Sequence, residues 1–336
     1  MRPLLLKTLA KFNMLVDIAA SRIHNYSPKD TIAVFGSRRS GSTWFMELME
    51  SLPGYRSVFE PFHPRYYPEF GRVGFPYDPY VPLPGEYDRI REYLERSFSG
   101  KVYIQFPYRM GVVKRLKGSK LVVKFVRGNT ILPWVARTFE IRGYYFIIRH
   151  PCATIASQLA TGFHSRLPLE GLLKEVQKVP ELGEQRDLLK KLEGINSEIG
   201  RLAAVWALEN YIPLASEKPY PWYTVVYERL VSEPEEEFRR VFGHIGEEVP
   251  EEAWKKMRKP SMVTRKSYGR EYIGTPKQLI KWKDQLSERQ VREILEVVSW
   301  FGLDFYDERP EPDYDALRAW GVTFSSSRRG SGRGVS

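Results

Sequence analysis

The segment with the clearest chemical character is GSRRSGST at residues 36–43, in which two glycines flank two arginines. An apolar run at residues 31–36, TIAVFG, predicts a strand before it, and the residues from Thr43 onward predict a helix after it. Glycines allow the backbone to turn tightly so that successive N–H groups point inward, and the helix behind them adds its positive end. The segment therefore predicts a cradle for an anion.

This segment matches only part of the G-x-x-x-x-G-K-S/T loop of nucleoside triphosphate enzymes. Both glycines have the required spacing and Thr43 occupies the hydroxyl position, but Ser42 stands where the motif has lysine. Arg38 and Arg39 place cationic charge inside the loop instead, and they would repel each other in so tight a turn unless an anion lay between them. A glycine turn that binds nothing is the simple alternative.

The ends of the later predicted strands carry cationic or aromatic residues. They end in Arg127, Arg149 and Tyr227, and none ends in an aspartate able to hold Mg²⁺. The sequence also has no clustered histidine or cysteine ligands. These features predict an anion site that works without a metal ion, unlike the site of a triphosphate enzyme.

Strands that alternate with helices predict an α/β fold with a P-loop-type central parallel sheet, covered by helices on both faces. The expected organisation is an N-terminal helical segment at 1–26, a single domain at 27–322 and a disordered basic tail at 323–336. In open α/β sheets, ligands bind at the carboxyl ends of the strands, so the residues at those ends are the candidates for function. The predicted strands are 31–36, 56–60, 120–127, 144–149 and 222–227.

The composition is that of an ordinary globular protein with an excess of positive charge. The chain has 336 residues, of which 42% are hydrophobic and 28% charged, and its net charge is +11. A basic surface favours polyanions such as nucleic acid, anionic lipid or a multiply phosphorylated cofactor. Cys152 is the single cysteine, so no intramolecular disulfide can form, which fits a reducing compartment.

The N-terminal 26 residues predict a helix rather than a membrane span, because Lys7, Lys11 and Asp17 interrupt the apolar run. One interpretation is a helix docked on the domain, which we favour. The other is a helix lying on a membrane surface with Lys7 and Lys11 on its polar side. The apolar positions that recur at helical spacing are Leu5, Leu9, Phe12 and Val16.

With these features, the chain resembles the sulfotransferases that use 3′-phosphoadenosine 5′-phosphosulfate (PAPS). Their loop after the first strand has the form K/R-S/T-G-S/T-S/T-x-W/F. The resemblance covers most of residues 31–305, and the loop arginine together with Glu60 and Pro61 is similar to the glycan and tyrosyl-protein branches. The matching loop residues are Arg39, Ser40, Gly41, Ser42, Thr43 and Trp44, with Phe45 at the motif's aromatic position.

A second signature of this family is an arginine at the end of a buried strand, then Asp-Pro, with a serine eight residues after the arginine. Here Arg149, Pro151 and Ser157 match, while His150 replaces the aspartate. The resemblance implies that Arg149 and Ser157 bind the 3′-phosphate of the cofactor, and Tyr227 begins a segment similar to the family's Tyr-Glu-Asp-Leu. Taken singly, a surface salt bridge and a helix-packing serine would explain these two residues.

The resemblance also implies roles in catalysis. Glu60 at the end of the second strand would be the base, with a pKa raised by partial burial, and His63, whose pKa is ordinarily near neutral, is its rival. Alternatively, Glu60 only pairs with Arg38 or Arg39. Arg39 and the loop N–H groups would neutralise the leaving phosphate. Lys124 and Arg127 would stabilise the sulfuryl oxygens or hold an acidic acceptor, unless they belong to a solvated strand end.

Two further segments are candidates for the edges of the site. The loop at about 259–280, which contains Arg265 and Lys266, lies where this family closes over the nucleotide, although a plain surface loop is nearly as good an interpretation. The aromatic-rich stretch 64–80 would line the acceptor site or serve only for packing.

The resemblance thus predicts a cytoplasmic sulfotransferase, peripheral to a membrane at most, that uses PAPS without a metal. The acceptor would be a hydroxyl of a glycan or glycolipid first, with tyrosine and small alcohols open, and the sequence leaves the oligomeric state open. Two other classes remain: a P-loop kinase or NTPase, and a basic nucleic-acid-binding protein. The latter would interleave basic and aromatic residues on one face, whereas the cations of interest here fall at strand ends, so we expect no nucleic-acid partner.

Overall fold

The computed structural model of the chain describes residues 2–73, 87–106, 111–163, 165–262 and 274–324. Within these residues, five parallel strands form one sheet in the order β2-β3-β1-β4-β5. This confirms the predicted α/β fold with a parallel central sheet. The strands are β1 (Thr31–Gly36), β2 (Tyr55–Phe59), β3 (Lys120–Phe125), β4 (Gly143–Ile148) and β5 (Tyr223–Val226).

Helices connect the strands and cover both faces of the sheet. They are α1 (Arg2–Ile23), α2 (Ser42–Met49), α3 (Asp88–Phe98), α4 (Val112–Lys117), α5 (Leu132–Thr138), α6 (Pro151–Thr161), α7 (Leu169–Gln177), α8 (Pro180–Gly183), α9 (Arg186–Glu193), α10 (Glu198–Leu214), α11 (Tyr227–Ser232), α12 (Pro234–His244), α13 (Glu251–Met257), α14 (Lys277–Ile280), α15 (Glu288–Ser299) and α16 (Tyr314–Ala319).

The central strand β1 is buried along its whole length and contributes to two hydrophobic cores. Ile32 and Val34 pack on the side of α2 and α12, whereas Ala33 and Phe35 pack on the side of α6, α10 and α15. This alternation follows from the two-residue period of a strand. Because both faces are covered, the strand is apolar throughout, as the sequence shows.

Helix α15 begins with a capping box. Ser287 accepts a hydrogen bond from the backbone N–H of Gln290, and the Gln290 side chain accepts one from the backbone N–H of Ser287. One face of the helix is buried in the core, and Leu295 beside it is only partly covered. The buried residues are Val291, Ile294, Val297 and Val298.

Helix α1 is anchored to the domain by a buried ion-pair cluster around Asp17. The carboxylate of Asp17 lies 3.1 Å from a guanidinium nitrogen of Arg56 and 2.8 Å from one of Arg115. All three side chains are almost fully buried, so removing one partner would leave an uncompensated charge in the interior. Only the C-terminal half of the helix takes part in this anchoring.

The apolar stripe of α1 is covered by the domain over only part of its length. Val16 is buried, but the three preceding positions of the stripe are exposed: Leu5 60%, Leu9 42% and Phe12 48%. Among the described residues, the hydrogen bonds and ion pairs that join α1 to the rest of the domain begin at Asn13. In the part of the chain that the structure describes, no helix has the length and apolarity needed to span a bilayer.

The packed chain extends slightly further than predicted at its C-terminal end. Phe324 is buried, and its ring packs edge-on against Tyr314. The Arg229 guanidinium lies 5.2 Å from the same ring. Two residues of the expected tail, 323 and 324, are therefore ordered, and the rest of that tail lies outside the described residues.

Candidate functional site

A cavity of about 690 Å³ opens at the carboxyl edge of the sheet. The strand order explains its composition, because β2, β3, β1, β4 and β5 each deliver a residue or loop to this edge in turn. The predicted site residues that line it are Arg38, Arg39, Gly41, Ser42, Thr43, Trp44, Glu60, His63, Lys124, Arg149, Ser157 and Tyr227. Ser40 is buried within the same loop, while Arg265 and Lys266 lie outside the described residues.

The loop after β1 turns through two left-handed residues, Arg39 with φ 68° and Gly41 with φ 94°. At Gly41 the backbone also runs directly against Tyr227, so that a Cβ atom at this position would lie 2.3 Å from the tyrosine ring. Glycine is thus required here for both conformation and space. The close approach fixes the loop against the end of β5.

Replacing Gly41 by alanine is expected to lower the free energy of unfolding by about 2–4 kcal/mol, because the new methyl group meets the Tyr227 ring and the backbone is strained. Gly162→Ala is the matched control, since Gly162 also has positive φ (68°) but nothing within 4 Å of its Cβ position. That change should cost only about 1 kcal/mol. Urea unfolding of both variants measures the difference, and equal losses would contradict the tight contact.

Arg39 and Arg149 tie the loop to β4 and α6. The Arg39 Nε donates to the Ser157 hydroxyl at 3.0 Å, and Arg149 Nη1 donates to the Arg39 carbonyl at 3.1 Å. The Arg149 guanidinium also stacks 4.2 Å from the centre of the Tyr227 ring. The loop and the second signature predicted from the sequence therefore meet in one cluster.

Two polar atoms of this cluster are buried without a hydrogen-bond partner among the described residues, the Ser40 hydroxyl and Arg149 Nε. The first N–H groups of α2 have no carbonyl of their own helix to bind, and they face the same loop. Unpaired buried donors are costly in a native protein, so their concentration here favours a site for an anionic ligand.

The histidine that replaces the family's aspartate has a structural role at the start of α6. The Nδ1 atom of His150 accepts the Cys152 N–H at 3.1 Å, and its Nε2 lies 2.8 Å from the Asp307 carbonyl. Burial lowers the pKa of His150 to about 4, so the ring is neutral and Nδ1 is able to accept. His150 thus caps the helix in the way an aspartate would.

Arg38 faces a different partner from its neighbour Arg39. Its guanidinium lies 3.2 Å from the Glu209 carboxylate on α10, and its carbonyl accepts a hydrogen bond from Gln158 at 2.9 Å. Part of the loop's positive charge is therefore balanced within the protein. No local pattern indicated Glu209 as the partner of Arg38, because the two residues are 171 positions apart.

Lys124 brings an ammonium group to the loop from the neighbouring strand β3. Its side chain is 1% exposed. Its Nζ donates to the Thr43 hydroxyl at 2.8 Å and to Glu60 Oε1 at 2.8 Å, and it lies 4.0 Å from the centre of the Phe59 ring. Lys124 thus brings to the loop the ammonium group that the loop's own sequence lacks. It is buried and does not belong to a solvated strand end.

Glu60 follows β2 in a left-handed conformation with φ 52°, held by a hydrogen bond from its N–H to the Lys124 carbonyl. Its carboxylate contacts Lys124 and lies 3.7 Å from Arg127, so these two residues, and not Arg38 or Arg39, are its ion-pair partners in the structure. Burial alone would raise the pKa of Glu60, but the two cations outweigh burial and lower it. The expected upward shift is therefore wrong in direction.

The pKa of His63 is also shifted away from the neutral range. Burial and the nearby Arg127 guanidinium lower the pKa of His63 to about 4. Its ring stacks on Tyr66 with 3.8 Å between ring centres, and its Nδ1 accepts the Arg65 N–H at 3.2 Å. The imidazole is thus neutral at pH 7, and its position is set by packing.

The cavity also includes residues for which the sequence offers no signal. Arg127 lines it as the sequence led us to expect, whereas no motif indicated Gln278, whose amide donates to the Tyr227 hydroxyl. From the predicted acceptor stretch, Pro64, Arg65 and Tyr66 reach the cavity, while residues 74–80 lie outside the described ranges. Within those ranges, no three His, Cys, Asp or Glu side chains are grouped for a metal ion. Further lining residues are Phe163, Arg166, Lys259, Lys281 and Trp282.

Comparisons with known proteins return sulfotransferase domains among solved structures. The sulfotransferase domain of a Synechococcus olefin synthase has a TM-score of 0.44 and 15% identity, covering 84% of this chain and 96% of its own. That of the curacin biosynthetic pathway has 0.42 and 16%, covering 81% and 96%. A mouse sulfotransferase complexed with PAP has 0.42 and 10%, covering 94% and 95%. No family model and no curated protein matches the chain.

Proposed function

We propose that this protein transfers a sulfuryl group from PAPS to an acceptor hydroxyl. The observation that carries the proposal is the position of Lys124, whose ammonium group joins the loop hydroxyl of Thr43 to the carboxylate of Glu60. An anion held by the loop would lie next to the Lys124 ammonium group. On the other side of that group lies the Glu60 carboxylate, which is able to accept a proton. Group transfer from an anionic donor to a hydroxyl needs these elements together.

The residues around the loop fit the two anionic ends of the donor. The loop N–H groups, the Ser40 hydroxyl and Lys124 would hold the phosphosulfate, and Arg39, Arg149 and Ser157 would hold the 3′-phosphate. The support is the unpaired Ser40 hydroxyl and Arg149 Nε together with the Arg39–Ser157 contact. When bound, PAPS supplies the sulfuryl group, and adenosine 3′,5′-bisphosphate is the leaving group.

Glu60 would accept the proton of the acceptor, and Lys124 would supply positive charge during the transfer. Glu60 is ionised at neutral pH because its pKa is lowered, so it is ready to accept the proton of an acceptor hydroxyl. Lys124 is held by its two hydrogen bonds and cannot turn away, so it provides positive charge at a fixed position. A carboxylate with a low pKa is a weak base, which suits a hydroxyl that loses its proton late in the transfer.

A P-loop kinase or NTPase is less well supported by the same geometry. In those enzymes the loop Ser or Thr hydroxyl helps to hold Mg²⁺. Here the Thr43 hydroxyl accepts a hydrogen bond from the Lys124 ammonium group. The Glu60 carboxylate is paired with Lys124 and Arg127. A nucleic-acid-binding role is also disfavoured, because Lys124, Arg127 and Arg38 are buried around a cavity instead of forming an exposed stripe.

The acceptor is proposed to be a hydroxyl of a glycan or glycolipid. The stacked His63 and Tyr66 rings and the exposed Phe163 ring offer flat surfaces at the cavity. Sugar rings and apolar groups pack well on such surfaces. Arg65 and Arg166 are exposed at the same cavity and favour an acceptor that carries negative charge.

Titration calorimetry with adenosine 3′,5′-bisphosphate tests the donor assignment. We expect binding without added metal, and Arg149→Ala should weaken it by about 10- to 100-fold, because one charge-assisted contact is lost. Arg137→Ala, which removes an exposed arginine paired with Glu217, is the matched control and should bind normally. Transfer of labelled sulfate from PAPS to a panel of glycan, glycolipid, tyrosine and alcohol acceptors then tests the reaction. Binding of ATP–Mg²⁺ in place of the bisphosphate would overturn the proposal.

A further inference from the structure

The first half of α1 is the largest exposed apolar feature of the described chain. Over residues 4–15, here called the apolar segment, six large side chains are 42–74% exposed, although this helix is otherwise folded against the domain. Scattered exposed apolar residues are normal, but six on three turns of one helix form a continuous surface that indicates a partner. The six residues are Leu4, Leu5, Leu6, Leu9, Phe12 and Leu15.

The ionisable side chains in and just before the apolar segment are all basic. Between residues 2 and 16 the ionisable side chains are Arg2, Lys7 and Lys11, and the first acidic residue of the helix, Asp17, is buried in its ion pairs with the domain. Lys7 and Lys11 are exposed and interleaved with the apolar side chains. A surface that combines apolar side chains with cations is complementary to an anionic lipid bilayer.

The apolar segment begins next to the wall of the cavity. The Asn13 side chain donates to the Phe106 carbonyl at 2.8 Å, and the Phe106 ring lies 4.4 Å from the ring of Tyr66, which lines the cavity. From this contact, the helix continues toward its N-terminus for about 16 Å at 1.5 Å per residue. Two contacts thus connect the helix to a residue of the cavity lining.

We propose that residues 4–15 dock on the surface of an anionic lipid bilayer. The leucines and Phe12 enter the interface, Lys7 and Lys11 contact the acidic headgroups, and the buried Asp17 cluster holds the helix in place on the domain. The helix lies on the bilayer and does not cross it. This inference is independent of the proposed function, because it concerns only the position of the protein on a membrane.

Flotation of the full chain with lipid vesicles tests the docking. We expect the protein to float with vesicles of phosphatidylcholine and phosphatidylserine and to bind much more weakly to phosphatidylcholine alone. Lys7→Gln with Lys11→Gln should weaken binding on the order of 25-fold, since each cation near an anionic surface contributes about fivefold. Leu5→Ser, Leu9→Ser and Phe12→Ser together should weaken it on the order of 100-fold.

Two controls keep the result specific. Ile23→Ser removes an exposed apolar side chain from the far end of the same helix, and Lys190→Gln with Lys191→Gln removes two exposed lysines from α9. Both should float like the original chain, and bisphosphate binding should be the same in all variants. Absence of flotation, or equal flotation of the triple serine variant, would overturn the proposal. So would a dimer, seen by light scattering, that the triple variant converts to a monomer.

Discussion

Glu60→Gln is expected to lower the turnover of PAPS-dependent transfer by about 10²- to 10⁴-fold, which is the usual contribution of a general base. The amide keeps the shape of the side chain but cannot accept the acceptor's proton. It also leaves Lys124 and Arg127 without their common carboxylate. The affinity for adenosine 3′,5′-bisphosphate should change little or increase, because negative charge is removed near the loop. Single-turnover rates and calorimetry on the same variant separate these effects.

Two variants distinguish a base from a general loss of charge. Glu175→Gln removes the other cavity carboxylate, which pairs with Lys178, and should retain turnover. His63→Ala should retain most of it as well, because the imidazole is a weak base with a pKa of about 4. Full turnover in Glu60→Gln together with a large loss in His63→Ala would reverse the assignment of the base. The proposed reaction class would remain.

Lys124→Met is expected to lower turnover by about 10²- to 10³-fold, the effect of removing one fixed positive group from a transfer site. Methionine fills a similar volume against the Phe59 ring without the charge. The Thr43 hydroxyl and Glu60 then lose their common hydrogen-bond donor. The transfer assay on this variant measures the loss, and turnover within a few-fold of the original chain would contradict the role of Lys124.

The same variant should change the pH dependence in a defined direction. Glu60 accepts a proton only when ionised, so the rate falls as the pH drops through its pKa. In the original chain Lys124 and Arg127 outweigh burial and hold the pKa of Glu60 below its ordinary value, so the rate should fall only in clearly acidic solution. Without Lys124, burial raises the pKa of Glu60, and the acidic limb of kcat/KM should move toward neutral pH.

Lys114→Met is the matched control for both measurements. Lys114 also pairs with a carboxylate, Glu50, at 3.2 Å, but it does not line the cavity. Its removal should leave both the rate and the acidic limb unchanged. An identical acidic limb in Lys124→Met would show that Glu60 is not the titrating group.

Backbone strain marks the same two residues that the proposal uses. Among the described non-glycine residues, positive φ is found at Arg39 and Glu60. Each such residue costs energy, and it persists only where the surrounding contacts hold it. Arg39 is held by Ser157 and Arg149, and Glu60 by Lys124. The loop arginine and the proposed base therefore have fixed directions before any ligand binds.

Local patterns in the sequence determined most of the fold. The runs predicted at 31–36, 120–127 and 144–149 correspond to β1, β3 and β4, because a strand covered on both faces is mostly apolar, with Lys124 as the buried exception in β3. Glycine spacing located the loop, and Pro151 located the start of α6. The six-residue spacing between Pro151 and Ser157 carries the serine to the arginine of the loop. Such features depend only on residues that are close together in the chain, so they can be recognised in the sequence without knowledge of tertiary contacts.

The N-terminal helix shows where a local pattern is insufficient. The spacing of Leu5, Leu9, Phe12 and Val16 correctly predicted a helix, but it did not determine what each side chain would contact. Burial requires an opposing surface, and within the described ranges the polar contacts of this helix with the domain start at Asn13. Periodicity specifies a face of a helix, whereas the tertiary structure decides how much of that face is covered.

By itself the sequence determined the position of the loop after β1, the strand ends and the identity of the residues gathered there, because these follow from short-range spacing and from the rule that parallel strands share one edge. Only the tertiary structure decided that Lys124 bridges Thr43 and Glu60, and that Glu209 balances Arg38. These contacts join residues 64 to 171 positions apart. The tertiary structure also decided the direction of the Glu60 pKa, because that direction is a balance between burial and two cations, and no single stretch of chain contains both.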